Sequence, residues 1–221
     1  MICLLCNHTF HEREKFYKLL MLIVEKQPIC DTCQQLFEKI EKDYCPACYR
    51  SNHSGRCADC ENWSKLGHKV QHRALYTYNG AMKEYFSKYK FQGDYQLRKI
   101  FASELKIVLK KFYKGYQVIP VPISQKRFQE RQFNQVTAVL DAGGISYQDI
   151  LDRDNQKSQS SKNRFDRLSN KSPFYLKKIQ NMPKKIVVID DIYATGATLQ
   201  GICKLLYEND VVDVKTVSVA R

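Results

Sequence analysis

The segment KKIVVIDDIYATGATLQGICKLL, residues 184–206, constrains the fold more than any other part of the chain. Four apolar residues precede Asp190 and Asp191, as in a buried strand, and apolar side chains recur at helical spacing from Leu199 onward. A strand that leads at once into a helix is typical of a parallel sheet, where ligands bind beyond the carboxyl ends of the strands. We therefore expect both carboxylates to lie at that edge of a sheet.

Further strand and helix patterns alternate along residues 67–221. The segment YQVIPVPISQ predicts a buried strand that ends at prolines, NQVTAVLDAGG predicts a helix that ends at glycines, and DVKTVSVA predicts a closing strand. Such alternation predicts an α/β fold, with a parallel sheet covered by helices on both faces. We assign residues 67–221 to this domain.

Cysteine pairs dominate the start of the chain. Eight of the nine cysteines form four C-x-x-C pairs within residues 1–60. Two residues between cysteines let both sulfurs of one turn reach the same ion, and two such turns complete a tetrahedral zinc site. The spacing predicts a small zinc-ribbon region at residues 1–66 with two zinc ions. Its ligands would be Cys3, Cys6, Cys30, Cys33, Cys45, Cys48, Cys57 and Cys60.

The four pairs could share two ions in sequential or in interleaved order. We favour the sequential order because the short link from Cys48 to Cys57 closes easily, whereas the interleaved order would form a cross-brace. Four cysteines per ion leave no open position for a substrate, so we interpret the metals as structural. Cys203 lies outside the pairs, and we expect it to be a small buried side chain.

Positive charge is concentrated in the middle of the chain. The net charge is +13, and residues 61–135 carry 15 basic but only 5 acidic side chains. Such a field attracts nucleic acid, anionic lipid or a phosphorylated small molecule, although a solvated basic surface has the same composition. No apolar run approaches the ~20 residues of a membrane span. Because the chain also opens without a secretory signal, we expect a cytoplasmic location.

The loop after Asp191 carries groups that suit a phosphate. Backbone N–H groups at a helix start, with the hydroxyls of Thr195 and Thr198, form a cradle for an anion, and Gly196 lets the backbone approach closely. The adjacent carboxylates accept hydrogen bonds from hydroxyl groups, so the run suits a ribose 5-phosphate. The alternative is a solvated Asp-Asp pair before an ordinary capped helix.

A second basic segment, PISQKRFQERQFNQ, follows a strand pattern and carries Lys126, Arg127 and Arg131. Guanidinium groups bind pyrophosphate in bidentate fashion, so this segment is either an anion-binding loop or an exposed basic loop. The polar segment QKSQSSKNRFDRLSN is either a mobile loop or a linker. Lys90 could face a phosphate or nucleic acid, but we interpret it as a surface lysine.

The run VVIDDIYATGAT resembles the phosphoribosyl pyrophosphate (PRPP) signature of type I phosphoribosyltransferases. The resemblance implies a phosphoribosyltransferase-like sheet in which Asp190 and Asp191 are catalytic and bind the ribose 2- and 3-hydroxyls. It implies that the 5-phosphate lies on Ala194, Thr195, Gly196, Ala197 and Thr198. It also implies displacement at ribose C1, with Mg²⁺ screening the charge of the leaving pyrophosphate.

The whole chain resembles the ComF family, through the cysteine pairs, KFQGD, VIPVP, KRFQERQFNQ, QKSQSSKNRFDRLSN and the PRPP signature. That family is linked to DNA uptake in natural transformation, beside a helicase-like ComFA protein. The resemblance implies that Lys126, Arg127 and Arg131 belong to the pyrophosphate loop. It implies that a flexible loop with Gln159, Arg164 and Arg167 closes over the substrate. Members commonly have glycine where this chain has Gln132.

Three hypotheses about function follow. The first is a competence protein that binds PRPP and single-stranded DNA, with aromatic side chains stacking on unpaired bases. The candidate aromatic residues are Tyr85, Phe86, Tyr89, Phe91 and Tyr95, for which a place in the core is the alternative. The second hypothesis is an active phosphoribosyltransferase that acts on an unidentified small acceptor. The third is a catalytically inactive scaffold for a ComFA-like helicase.

Overall fold

The computed structural model of the protein describes residues 1–11, 27–153 and 173–221. The predicted loop residues Gln159, Arg164 and Arg167 lie outside these ranges. Within the described ranges, no helix is both long and apolar enough to cross a lipid bilayer.

A four-stranded parallel sheet organises the described chain. The strands are β1 (His72–Tyr76), β2 (Gln117–Pro120), β5 (Lys185–Ile192) and β6 (Asp213–Ala220), in the spatial order β1-β6-β5-β2. All three pairings in this sheet are parallel. Two short strands, β3 (Leu151–Arg153) and β4 (Phe174–Leu176), form a separate antiparallel pair. The α/β class with a parallel sheet, which the sequence predicts, is confirmed.

Helices connect these strands. Those described are α1 (Asp31–Gln35), α2 (Ala58–Lys65), α3 (Gly80–Phe91), α4 (Ala102–Phe112), α5 (Gln125–Arg131), α6 (Gln135–Ala142) and α7 (Ala197–Tyr207), with a 3₁₀ turn at Tyr95–Lys99. One face of the sheet packs against α3, α4 and α6. The other face packs against α7 and the β3–β4 pair. The sheet is therefore covered by helices on both faces, as expected.

The alternation of side chains along β5 separates the two hydrophobic cores. Val187 and Ile189 point into the core with α3, α4 and α6, whereas Ile186 and Val188 point into the core with α7. Successive residues of a strand face opposite sides of the sheet. All four side chains have an exposure of 1% or less. β5 is therefore an interior strand of the sheet, buried on both faces, as its apolar run predicts.

The cysteine region is continuous with both cores. Cys3 and Cys33 pack in the core that contains α3, and Cys45 and Cys60 pack in the core that contains α7. Cys203 is 6% exposed and lies in the second core, as predicted for a small buried side chain.

His72 fastens β1 to β6 inside the sheet. Its Nδ1 lies 2.9 Å from Thr216 Oγ1 and its Nε2 lies 3.0 Å from Ser218 Oγ. Burial, and next the positive charge of Arg221, lower the pKa of His72 well below its usual value. His72 is therefore a neutral structural residue.

Gln132 ends α5 in a left-handed backbone conformation, with a φ of 65°. This conformation favours glycine, the residue that the ComF resemblance leads one to expect here. The turn therefore keeps a glycine-like backbone path without the glycine. A side chain in this conformation costs about 1 kcal/mol or more.

We expect Gln132→Gly to raise the free energy of unfolding by up to about 1 kcal/mol, because it relieves this backbone strain. Urea denaturation measures the change. Gln132→Ala is the matched control, since it also removes the bond from Gln132 Nε2 to Gln129 O but keeps a Cβ. Equal effects of the two variants would show that the backbone carries no such strain.

Candidate functional site

The two aspartates lie at the carboxyl edge of the sheet, among the last three residues of β5. β5 continues through Ile192, which pairs with Ala220, so the strand extends past the acidic pair rather than ending before it. Because successive side chains alternate, Asp190 is on the face of Ile186 and Val188, and Asp191 is on the opposite face. The two adjacent carboxylates therefore reach different neighbours.

Asp190 is partly buried, and its carboxylate is hard to ionise. Burial, and next the charge of Asp191, raise the pKa of Asp190 to about 7. The backbone N–H of Asp191 donates to Asp190 Oδ1 at 2.8 Å, and the charges of Lys90 and Arg127 favour the ionised form. A further positive charge near Asp190, such as the cation that accompanies a polyanion, would lower the pKa of this carboxyl group.

Asp191 is held by two partners from the neighbouring helices. Lys90 Nζ lies 2.7 Å from Asp191 Oδ2, and Gln135 Nε2 donates to the same oxygen at 3.0 Å. The side chains of Lys90 and Asp191 are only 12% and 15% exposed. The interpretation of Lys90 as a surface lysine is therefore wrong. Because both contacts end on Oδ2, acceptor positions on Oδ1 stay available to a hydroxyl group.

Among the described residues, three arginines place their charges close enough to act on the acidic pair. Arg127 and Arg131 come from α5, and Arg153 comes from β3. Burial, followed by the neighbouring charge of Arg127, lowers the pKa of both Arg131 and Arg153, while the aspartates oppose this. Arg131 Nε and Nη1 are buried without a hydrogen-bond partner among the described residues. Lys126 is exposed on the same helix. The arrangement leaves guanidinium donors at the sheet edge for an anion.

The loop from β5 to α7 turns sharply at Gly196, which has a φ of 86° and precedes the first residue of α7. A Cβ at this position would collide with the Tyr193 hydroxyl. Both the conformation and the close contact therefore require glycine. Ala194, Thr195, Ala197 and Thr198 are exposed, so the backbone at the helix start is open to a ligand.

The same loop is fastened to α2, the helix that carries Cys60. Trp63 Nε1 donates to Thr195 O at 2.9 Å. Arg221 Nη1 donates to Tyr193 O at 3.1 Å and also to Ala194 O. The Arg221 guanidinium lies 4.5 Å from the Tyr193 ring centroid, and its Nη2 lies 3.5 Å from Asp59 Oδ2 on α2. The candidate phosphate loop therefore rests on the second cysteine cluster.

The eight paired cysteines gather into two groups in sequential order. One group contains Cys3, Cys6, Cys30 and Cys33, and the other contains Cys45, Cys48, Cys57 and Cys60. Within each group the sulfur atoms lie within 4.8 Å of one another. The favoured sequential order, rather than the interleaved one, is therefore the arrangement in the structure.

The geometry and the chemistry of both groups fit a metal ion. A tetrahedral site with Zn–S bonds of about 2.3 Å has S···S edges of about 3.8 Å. Cys6 Sγ and Cys30 Sγ are 3.8 Å apart, and Cys48 Sγ and Cys57 Sγ are 3.6 Å apart.

One thiol in each group has a pKa below that of a free cysteine. Burial opposes ionisation of Cys45, but N–H groups led by that of Cys57 lower its pKa to about 7. In the same way, the N–H of Cys30 and neighbouring groups outweigh burial and lower the pKa of Cys3 to about 6. Because the thiolate is the metal-binding form, these N–H bonds prepare each group for an ion.

Several residues of this region escaped the sequence analysis. Gln135 ends the segment KRFQERQFNQ but has no predicted role of its own, Arg153 carries no motif, and Trp63 and Arg221 are distant in sequence from the loop that they contact. Two sequence patterns indicate that α5 and α6 approach the sheet edge. They are the strand that ends at prolines before α5 and the helix start after Asn134. Nothing local in the sequence indicated the contacts of Trp63 and Arg221.

No protein-family model matches the chain. Among solved structures, a hypoxanthine phosphoribosyltransferase from Staphylococcus aureus is similar at 17% identity and a TM-score of 0.33, over 55% of this chain and 61% of that one.

Three competence proteins are similar in sequence. The competence protein ComFC of Streptococcus pneumoniae is 46% identical over 221 residues, which is 100% of both chains. The competence protein ComFC of Bacillus subtilis is 34% identical over 94% of this chain and 89% of its own length. The competence protein F of Haemophilus influenzae is 24% identical over 90% of this chain and 93% of its own. The identity to the first two over nearly their whole lengths shows that the chain belongs to the ComFC competence protein family.

Proposed function

We propose that the protein is a competence factor that binds PRPP, or a related phosphoribosyl ligand, and supports DNA uptake by binding single-stranded DNA. The observation that carries the ligand assignment is the acidic pair on β5 beside a glycine turn that opens α7. Membership in the ComFC family supports the competence role.

The ribose and its 5-phosphate would bind along the end of β5. Asp190 and Asp191 would accept hydrogen bonds from the 2- and 3-hydroxyls, with Asp191 using the oxygen that Lys90 leaves available. The exposed N–H groups and hydroxyls of residues 194–198 would hold the phosphate at the start of α7. This pairing of acceptors and donors matches a sugar that carries both kinds of group.

The pyrophosphate would bind between the acidic pair and α5. Arg127 and Arg131 supply guanidinium donors there, and Arg153 adds a third that the sequence did not indicate. Mg²⁺ would accompany PRPP, because it binds through one or two carboxylates together with substrate phosphates. Transfer of the phosphoribosyl group to an acceptor stays a prediction, for which pyrophosphate release over a panel of bases is the measurement.

Zinc would be the ion in both cysteine groups, with a structural role. Four sulfurs surround each position, so no coordination site is left for a substrate. The second ion would hold α2 in place beneath the phosphate loop.

We expect two zinc ions per chain, one for each group of four cysteines. Cys45→Ser combined with Cys48→Ser should lower the content to about one ion, because two ligands of one site are lost. Metal analysis of the purified protein measures the count. Cys203→Ser is the matched control, since this cysteine is buried outside both groups and its replacement should leave the count unchanged. A count near zero in the unaltered protein would refute the zinc assignment.

Saturating PRPP with Mg²⁺ should raise the thermal midpoint of the protein. At about 100 times the Kd, a ligand adds about 2.7 kcal/mol to the free energy of unfolding. This corresponds to a rise of roughly 5–10 °C in a chain of this size. The double variant Asp190→Asn/Asp191→Asn should lose most of the shift, because its amides cannot replace both carboxylates.

The matched control for this test is Asp141→Asn, which alters an exposed aspartate on α6 and should keep the full shift. Each variant is compared with itself with and without PRPP, so a change in its intrinsic stability does not affect the result. Equal shifts in the unaltered protein and in the double variant would show that the acidic pair is not the ribose site.

Trp63→Phe should weaken PRPP binding roughly 2- to 10-fold, since it removes the hydrogen bond to Thr195 O but keeps an aromatic ring. Isothermal calorimetry measures the Kd. The zinc count of the variant should stay at its unaltered value, which separates a loss of loop support from a loss of metal. An unchanged Kd would mean that the loop holds its conformation without α2.

A further inference from the structure

The aromatic residues of the basic region divide into two sets. Tyr85, Phe86 and Tyr89 are 1%, 4% and 1% exposed and belong to the core, so the hypothesis that they stack on bases is wrong. Phe91, by contrast, is 76% exposed and Tyr95 is 40% exposed. These two side chains follow directly on the buried part of α3 and remain available to a partner.

A third exposed aromatic residue lies on α5. Phe128 is 50% exposed, and no residue of α5 is buried. Phe128 precedes Arg131 by three positions, so the two side chains share one face of the helix. Because no residue of α5 is buried, Phe128 is not a core residue in the described part of the chain.

The contacts of Arg131 and Phe133 join these aromatic residues into one surface. The Arg131 guanidinium lies 5.3 Å from the centroid of the Phe91 ring. Tyr95 packs against Phe133, with ring centroids 5.0 Å apart. Phe91 and Tyr95 therefore both lie against the segment at the end of α5. We call the surface formed by Phe91, Tyr95, Phe128, Arg98 and Arg131 the aromatic platform.

The aromatic platform is positively charged and borders the acidic pair. The Arg98 guanidinium lies 3.7 Å from the Tyr95 ring centroid, and Arg131 covers Phe91. Lys90, the neighbour of Phe91, forms the ion pair with Asp191. Exposed rings interleaved with guanidinium groups are the chemistry that binds an unpaired nucleic-acid strand, through base stacking and phosphate contacts. An acidic protein partner could pair with the arginines, but it has no bases to stack on the three exposed rings.

We propose that the aromatic platform is the surface on which the protein binds single-stranded DNA. Bases stack on Phe91, Tyr95 and Phe128, and Arg98 contacts the phosphates, while Arg131 orients the Phe91 ring and stays with the PRPP site. This inference rests on the proposed function, of which it specifies the nucleic-acid-binding surface. The strand then passes beside the PRPP site rather than through it.

The test is fluorescence anisotropy of the full-length, zinc-loaded protein with a labelled oligothymidine of about 20 nucleotides. Phe91→Ala and Phe128→Ala should each weaken binding at least about fivefold, because each removes a stacking surface. Phe91→Trp should restore it. The matched control is Phe112→Ala. It removes another exposed phenylalanine, at the end of α4, whose ring is covered by Arg73. Binding by this control should equal that of the unaltered protein.

The salt dependence separates the two kinds of contact. Removal of a ring should leave the slope of log K against log salt unchanged, whereas Arg98→Gln should reduce it by about 0.7, the value for one phosphate contact on a single strand. The ring variants and the unaltered protein should bind a duplex of equal length with the same affinity, because paired bases do not stack on side chains.

The outcomes distinguish this inference from the function on which it rests. If the unaltered protein does not bind the oligonucleotide at low salt, the DNA-binding part of the proposed function fails. If it binds and the Phe91 and Phe128 variants bind equally well, the DNA-binding function holds and the aromatic platform is refuted. Loss of binding in Phe112→Ala alone would refute the platform too and assign the strand to the surface around Arg73.

Discussion

The side-chain alternation of β5 is the constraint on which the rest of the structure depends. Parallel ladders to β2 and β6 fix the strand on both sides, and its apolar residues enter two separate cores. The same alternation sends Asp190 and Asp191 to opposite faces of the sheet. A shift of one residue in register would exchange the cores and the carboxylates together. The fold and the candidate site are thus specified by the same backbone pairing.

The electrostatics of the site follow from this separation. Asp191 meets Lys90 and Gln135 from the helices on its own face, whereas the charges of Arg127 and Arg153 act on Asp190. Two carboxylates on adjacent residues would repel each other strongly without those partners. The positive groups therefore stabilise the acidic pair, and in the proposed function they would also supply the donors for a pyrophosphate.

Much of this arrangement could be predicted from the sequence, because it depends on local patterns. The strand at 186–189, the glycine turn and the sequential cysteine groups all follow from spacing within a few residues. The burial of Lys90 could not be predicted in this way, since it results from the packing of α3 against the end of β5. Which aromatic residues are buried and which are exposed depends on where α3 ends, and the helical spacing alone does not give that position. Long-range contacts such as that of Trp63 have no local signal at all.

If the candidate phosphate loop and the second cysteine group bind as proposed, the support of that loop by α2 joins two equilibria that would otherwise be independent. Trp63 and Arg221 connect the loop to the helix that bears Cys60, so any order that an ion imposes on α2 is shared with residues 193–195. Thermodynamic reciprocity then runs in both directions. A phosphate that binds better when the cluster is filled must make that ion harder for a chelator to extract. In the proposed function, the equilibrium extent of chelator extraction would therefore report sugar-phosphate occupancy at a distance from the sheet edge.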